Sequence, residues 1–325
     1  MDKFLFAFLG VLLASTFHGT SAQAQNDRSW VAGNGTGSTC TRTAPCATFA
    51  AAHDATTPGG TIHCVDAGDF AAGELGTLTI TKSITIDCAG TLGIHGNTNI
   101  HVAGAGIVVH LRNLLIDGGT RASVGVNFIN GAALYVENCT ISGWDQGAGQ
   151  GIRFTPPTGV AAKLIVLDST IVDNGIAGQA GTGGIYIAPA GSATVRVSIE
   201  RTKIVGNTYG IYADGTGGAT GGFTSALIKD SFIANSVSNG VSLIAQPGLA
   251  NVSITLDHSA SVGNGADGIL AQGSNSYAIL TESTVIANLA VGLHSVNGGN
   301  IISLQNNAIL GNVVEPNPTL SFSLK

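Results

Sequence analysis

Arg153, Tyr186 and Tyr212 each stand two residues after a glycine, in Gly151-Ile152-Arg153, Gly184-Ile185-Tyr186 and Gly210-Ile211-Tyr212. If those glycines mark equivalent points of a repeat, the three side chains lie on neighbouring strands. A guanidinium fork beside two phenol rings suits a sugar chain, because rings stack on tyrosine and carboxylates or hydroxyls bond to the guanidinium. Asp214, two residues after Tyr212, falls on the same face by strand alternation. Loop residues Trp144 and Asp145 would extend the groove. Arg153, Tyr186, Tyr212, Asp214 and Trp144 are therefore the candidate binding residues, for a polysaccharide or a cell-surface glycan.

Other ionisable groups are few: charged residues make up 10% of the 325 and the net charge is −6. No basic patch is present for nucleic acid. The acids Glu137, Asp168, Glu200, Asp230, Asp257 and Glu282 come roughly one per repeat. Calcium needs six to eight converging oxygen ligands, so no cofactor is expected, calcium being the one ion left open. His53, His63, His95, His101 and His110 lack matched spacing for a metal. His294 with Asp267 or Glu282 would make a base and its orienter, but their columns are expected to differ. Cys40, Cys46, Cys64, Cys88 and Cys139 allow several pairings. Thr61-Ile62-His63-Cys64 and Thr85-Ile86-Asp87-Cys88 read as equivalent positions on successive turns of a stack, which would hold two sulfurs on strands about 4.8 Å apart, within disulfide reach. That pairs Cys64 with Cys88 and Cys40 with Cys46, and leaves Cys139 a buried thiol.

The elements that must position these residues are written in a repeat. Asn174, Asn207, Asn235, Asn264, Asn288 and Asn312 recur at spacings of 33, 28, 29, 24 and 24, all but the last followed by Gly and an aliphatic residue. A unit of this length with three short strands cannot bury its apolar side alone, but stacked units can. One inward column is expected to be Val126, Ile152, Ile185, Ile211, Val241, Ile269 and Leu293. A second is Ile116, Ile141, Ile171, Ile204, Phe232, Ser261, Val285 and Ile309. A polar corner column would be Ser169, Thr202, Asp230, Ser259, Ser283 and Asn307. Next to the second core column, Val172, Val205, Ile233, Val262, Ile286 and Leu310 form an aliphatic stripe that alternation would place outside, with adjoining loops or a bend of the strand expected to cover it. The 47 glycines read as corner residues adopting positive φ.

This pattern of strand, Asn or Ser corner, strand, Asn and Gly-Ile resembles the pectin-lyase-like right-handed parallel β-helix superfamily. Trp30-Val31-Ala32-Gly33-Asn34-Gly35, Thr43-Ala44-Pro45-Cys46-Ala47-Thr48-Phe49 and Pro58-Gly59-Gly60-Thr61-Ile62 are similar to the N-terminal segment of its secreted bacterial members. The resemblance implies an all-β, single-stranded right-handed parallel β-helix of about nine to ten coils with a short N-terminal cap helix over residues 47–55. The domains divide as a secretory signal peptide (1–24), N-terminal cap and first coil (25–75), parallel β-helix (76–312) and C-terminal cap or tail (313–325). The eleven-residue apolar run Phe4 to Ala14 is too short to span a bilayer, so the mature chain is expected to be secreted, extracellular or periplasmic, with no membrane span. Lyases, hydrolases and non-enzymatic surface proteins share this fold, and fold alone does not choose among them. The Asn-Thr-Asp, Gly-His-Gly and Arg-Ile-Lys strings of its polygalacturonate hydrolases are missing. The reading is a polysaccharide-binding protein, with a uronate lyase using Arg153 as weak catalytic candidate, or a non-catalytic adhesion or structural rod, as the alternatives.

Overall fold

The computed structural model describes residues 25–71, 77–91, 93–97, 99–119, 123–315 and 318–322. The signal peptide expected over 1–24 and part of the expected tail lie outside them. The chain winds as a right-handed parallel solenoid of about eleven turns, slightly more than the repeat count gives. Full turns contribute one strand to each of three sheets, of twelve, ten and nine strands. One such turn runs Ala161–Leu167, Thr170–Val172 and Gly183–Ile187 before Thr194–Glu200 opens the next. Among the described residues one short helix occurs, Phe49–Ala55, with Thr48 accepting the Ala51 N–H as its N-cap and Phe49 and Ala52 buried.

Alternation explains the burial. In the nine-stranded sheet Val126, Ile152, Ile185, Ile211, Val241, Ile269 and Leu293 share one register row and are all buried. The corner that precedes this sheet would leave backbone groups unpaired inside the core, and asparagine side chains satisfy them. Asn174 donates from Nδ2 to the Ile141 carbonyl and accepts the Trp144 N–H at Oδ1; Asn207, Asn288 and Asn312 repeat this pattern on later turns.

One turn departs from the expected register. The inward residue is Ile233, not Phe232, which is 42% exposed; the ladder residue is Ser236, not Asn235; the corner hydroxyl is Ser231, not Asp230. These three differences are a single slip by one residue, which in a strand exchanges the two faces. Asp230-Ser231 and Asn235-Ser236 each offer two polar candidates, and burial of Ile233 decides between them. The aliphatic stripe therefore runs Val172, Val205, Ala234, Val262, Ile286, Leu310. Ala234 is buried, Leu310 is exposed and the rest are half-buried.

The glycines of the Gly-aliphatic pairs need no positive φ either. Among the described residues twenty other glycines do adopt positive φ, and so do non-glycine corner residues including Asp168, Arg201, Asp230, His258 and Glu282. Cys40 is bonded to Cys46 and Cys64 to Cys88, with Cα separations of 4.7 and 4.8 Å. Cys139 is free and buried, and burial pushes its thiol pKa up to about 12.

Candidate functional site

The outward row of the nine-stranded sheet reads His101, Asn127, Arg153, Tyr186, Tyr212, Ser242, Leu270, His294, one residue per strand. Each stands one residue after the buried aliphatic that fixes the register. Arg153, Tyr186 and Tyr212 are thus neighbours at steps of about 4.8 Å. The two phenol rings lie 6.0 Å apart and tilted by 35°, and Tyr209 meets Tyr212 edge-on at 5.2 Å. Burial and then the Asp214 charge raise both phenols, Tyr212 to about 12. Both rings therefore stay neutral, acting as apolar faces with a hydroxyl handle. Asp214 is tied into its own turn, accepting the Thr216 N–H at 2.8 Å and its hydroxyl at 2.6 Å.

Trp144 does not extend this groove. It is fully buried, and its Nε1 donates to the Ile116 carbonyl at 3.2 Å inside the core. The indole packs beside Gly125, where a Cβ would stand 3.0 Å from Trp144 Nε1.

On the two adjacent strands of this sheet that carry Asn127 and Arg153, three polar atoms are shut off from solvent and have no hydrogen-bond partner: Arg153 Nε, Asn127 Oδ1 and Gln150 Oε1. Each such orphan costs about 1–3 kcal/mol.

The sequence matches no family model and no curated protein. Among solved structures, the crystal structure of pectate lyase Pel9A superposes with a TM-score of 0.57 over 93% of this chain and 81% of the other, at 16% identity. The chain has the pectin-lyase-like parallel β-helix fold. At that identity the likeness concerns the fold alone.

Two further groupings stand on this β-helix, the pair His294 with Asp267 raised from sequence and a second around Glu137 that was not. His294 Nδ1 lies 2.8 Å from Asp267 Oδ2, although the two occupy different rows, because Asp267 sits at the preceding corner and reaches diagonally to the next strand. Asp267 is buried and its Oδ1 also accepts the Val291 N–H, so the carboxylate fixes the imidazole's orientation. On the twelve-stranded sheet, His110 stacks on Tyr135 at 4.2 Å, and both His110 and Arg112 reach Glu137, at 3.2 and 2.5 Å. Burial pushes Glu137 up, but bonds from Arg112 and His110 outweigh it and hold the carboxyl below its usual range. The matched row was the available signal: Thr85, His110 and Tyr135 share one register.

No cluster of three or more metal-ligating groups occurs among the described residues. A cavity of about 770 Å³ on another face is lined by Asn113, Leu115, Asn138 and Thr140 and by no charged group, so it offers little to acid-base chemistry.

Proposed function

We propose that this protein is a secreted β-helix that binds extracellular polysaccharide across the nine-stranded sheet, at Arg153, Tyr186 and Tyr212, with Asp214 at the rim. The observation that carries the reading is the unbroken register of a guanidinium and two neutral phenols on three adjacent strands. Stacking on tyrosine tolerates many sugars, and the guanidinium adds a preference for carboxylate or hydroxyl-rich chains. The fold, similar to that of a protein named a pectate lyase, is compatible with this, and the two disulfides fit an oxidising, extracellular setting.

A lyase is the second reading, favoured by that same structural likeness. It would need a base and neutralisation of the uronate charge, and Arg153 is the cation on this face able to take part. Incubating the protein with uronate and neutral polymers, with and without calcium, and following unsaturated products by absorbance decides it. For binding, Arg153→Ala and Tyr212→Ala are each expected to weaken affinity roughly tenfold or more, from lost charge-assisted bonds or stacking. Binding that survives both substitutions would move the site elsewhere. Failure to bind any polymer would leave a structural rod.

A further inference from the structure

Beside the grouping around Glu137 the twelve-stranded sheet has a slot. One outward row of that sheet runs Arg28, Thr61, Thr85, His110, Tyr135 on successive strands. His110 and Tyr135 stack 4.2 Å apart and 13° from parallel, so the two rings follow one another along the row at about the strand spacing. The stack stops at Thr85, whose short side chain leaves the other face of the imidazole uncovered. What remains is a cavity of about 220 Å³ lined by Gly59, Ser83, Ile84, Thr85, Val108 and His110. A Cβ at Gly59 would meet nothing within 4 Å, so that side of the slot is open. The imidazole itself is fixed, because Tyr135 backs it and its Nδ1 lies 3.2 Å from Glu137 Oε2 and 3.3 Å from Arg112 Nη2. One ring face and Nε2 are left for a ligand. Ser83 Oγ accepts the Val108 N–H at 3.1 Å, which leaves its own O–H to donate.

We propose that this slot is a second carbohydrate site, taking one uncharged sugar ring against the free face of His110. It lies on a different sheet from Arg153 and does not depend on the groove there. A pyranose matches both kinds of surface: its C–H face packs on the imidazole, and its hydroxyl edge meets Ser83 and Thr85. A wholly apolar ring would leave those hydroxyls unmet. The volume lies below the roughly 300 Å³ at which drug-sized sites begin, so the slot admits one ring rather than several. Charge turns a uronate away. Asp87 follows Thr85 by two residues on the same face, Glu137 is bonded to His110, and Arg112, between the two acids in register, is already engaged by Glu137. The imidazole is held in place before the sugar arrives, so little ordering is left to oppose binding.

Thr85→Phe tests the site, since a phenyl ring there extends the stack, fills the slot and suits a strand. The variant is expected to melt at or above the wild-type temperature. Calorimetric titration with gluco-, galacto-, manno- and xylo-oligosaccharides should find at least one that the wild type binds and Thr85→Phe binds roughly tenfold or more weakly. Polygalacturonate should not distinguish the two proteins. His110→Ala, which removes the stacking face, is expected to weaken the same oligosaccharide by about three- to tenfold. Should Thr85→Phe melt below the wild type, Thr85→Val serves: it keeps the shape of the side chain, loses the hydroxyl and is expected to bind about fivefold more weakly. An uncharged oligosaccharide bound equally by the wild type and the variants overturns the slot. Failure of the wild type to bind any of the four also overturns it, and leaves the groove at Arg153 to be judged on polygalacturonate alone.

Discussion

Gly268 is glycine because of an asparagine on the next turn. A Cβ there would stand 2.6 Å from Asn288 Nδ2, 2.6 Å from Val285 and 2.7 Å from the Gly292 carbonyl. Gly184 faces the same constraint, with Asn207 at 3.2 Å and the Gly210 carbonyl at 2.7 Å. The Asn and Gly of the repeat are thus two halves of one device: the amide enters the core to satisfy the corner, and the glycine makes room for it. Gly268→Ala is expected to destabilise by roughly 1–3 kcal/mol, the usual cost of overpacking, read as a lowered denaturation midpoint. An unchanged midpoint would mean the Asn288 side chain can withdraw without loss. The recurrence of Asn and Gly was legible in the sequence, but its reason was not, since spacing reports neither φ nor contacts. Arg153, Tyr186 and Tyr212 were placed correctly because each is one residue from a buried aliphatic that pins the register. Trp144 was misread, and the reach of Asp267 to His294 missed, for the opposite reason. Trp144 and Asp267 lie at corners, where loop length varies and alternation no longer says which way a side chain points.

At the scale of the element, the corner between the twelve- and ten-stranded sheets solves the problem of stacking charge. Asp168, Arg201, Asp230, His258 and Glu282 follow one another on successive turns at exposed, positive-φ positions, so each acid has a base as its neighbour. Arg201 grips Asp168 with two bonds of 2.7 and 2.9 Å, and these hold the Asp168 carboxyl below its usual range. His258 bonds Asp257 through Nδ1 at 2.6 Å and Glu282 through Nε2. The bond to Asp257, then the neighbouring acids, raise its pKa above 6.5 despite some desolvation. A raised folded-state pKa means that the folded protein binds the proton more tightly than the unfolded one. Its contribution is therefore complete below about pH 6.5 and is lost as pH climbs through the higher folded value. His258→Asn should remove the part of the fall in melting temperature that accompanies this rise in pH, by a small amount because the group is exposed and screened. If wild type and variant show parallel profiles through neutral pH, the imidazole is not charged in the pair. Which acids share a row required the register, and with it Glu137, Glu200 and Asp257 fall in one row and Asp168, Asp230 and Glu282 in the next.

The molecule as a whole is close to one-dimensional, since each turn rests on its two neighbours and stability adds along the axis. Its two ends are built differently. At the N-terminal end the helix Phe49–Ala55 packs Phe49 against Phe70 at 5.2 Å, and the Cys64 to Cys88 bridge ties turns 24 residues apart, a closure that by chain entropy stabilises by about 3 kcal/mol. At the C-terminal end the strands Leu293–Val296 and Ala308–Leu310 each have a single partner, and Leu310, Val313 and Phe322 are more than half exposed. A terminal turn with one neighbour and poorly covered apolar side chains opens at lower free energy than a central one. Native-state hydrogen exchange should therefore show protection falling towards Ala308–Leu310, with the rows through Ile152, Ile185 and Ile211 the last to exchange. The candidate groove lies in that central stretch, with Tyr212, Tyr186 and Arg153 on the fourth, fifth and sixth of the sheet's nine strands and three strands beyond them on either side. Ligand added at saturation should then slow exchange around the groove while leaving the C-terminal turns as they were. Uniform exchange along the whole solenoid would instead make it a single cooperative unit, in which binding at the groove stabilises every turn equally.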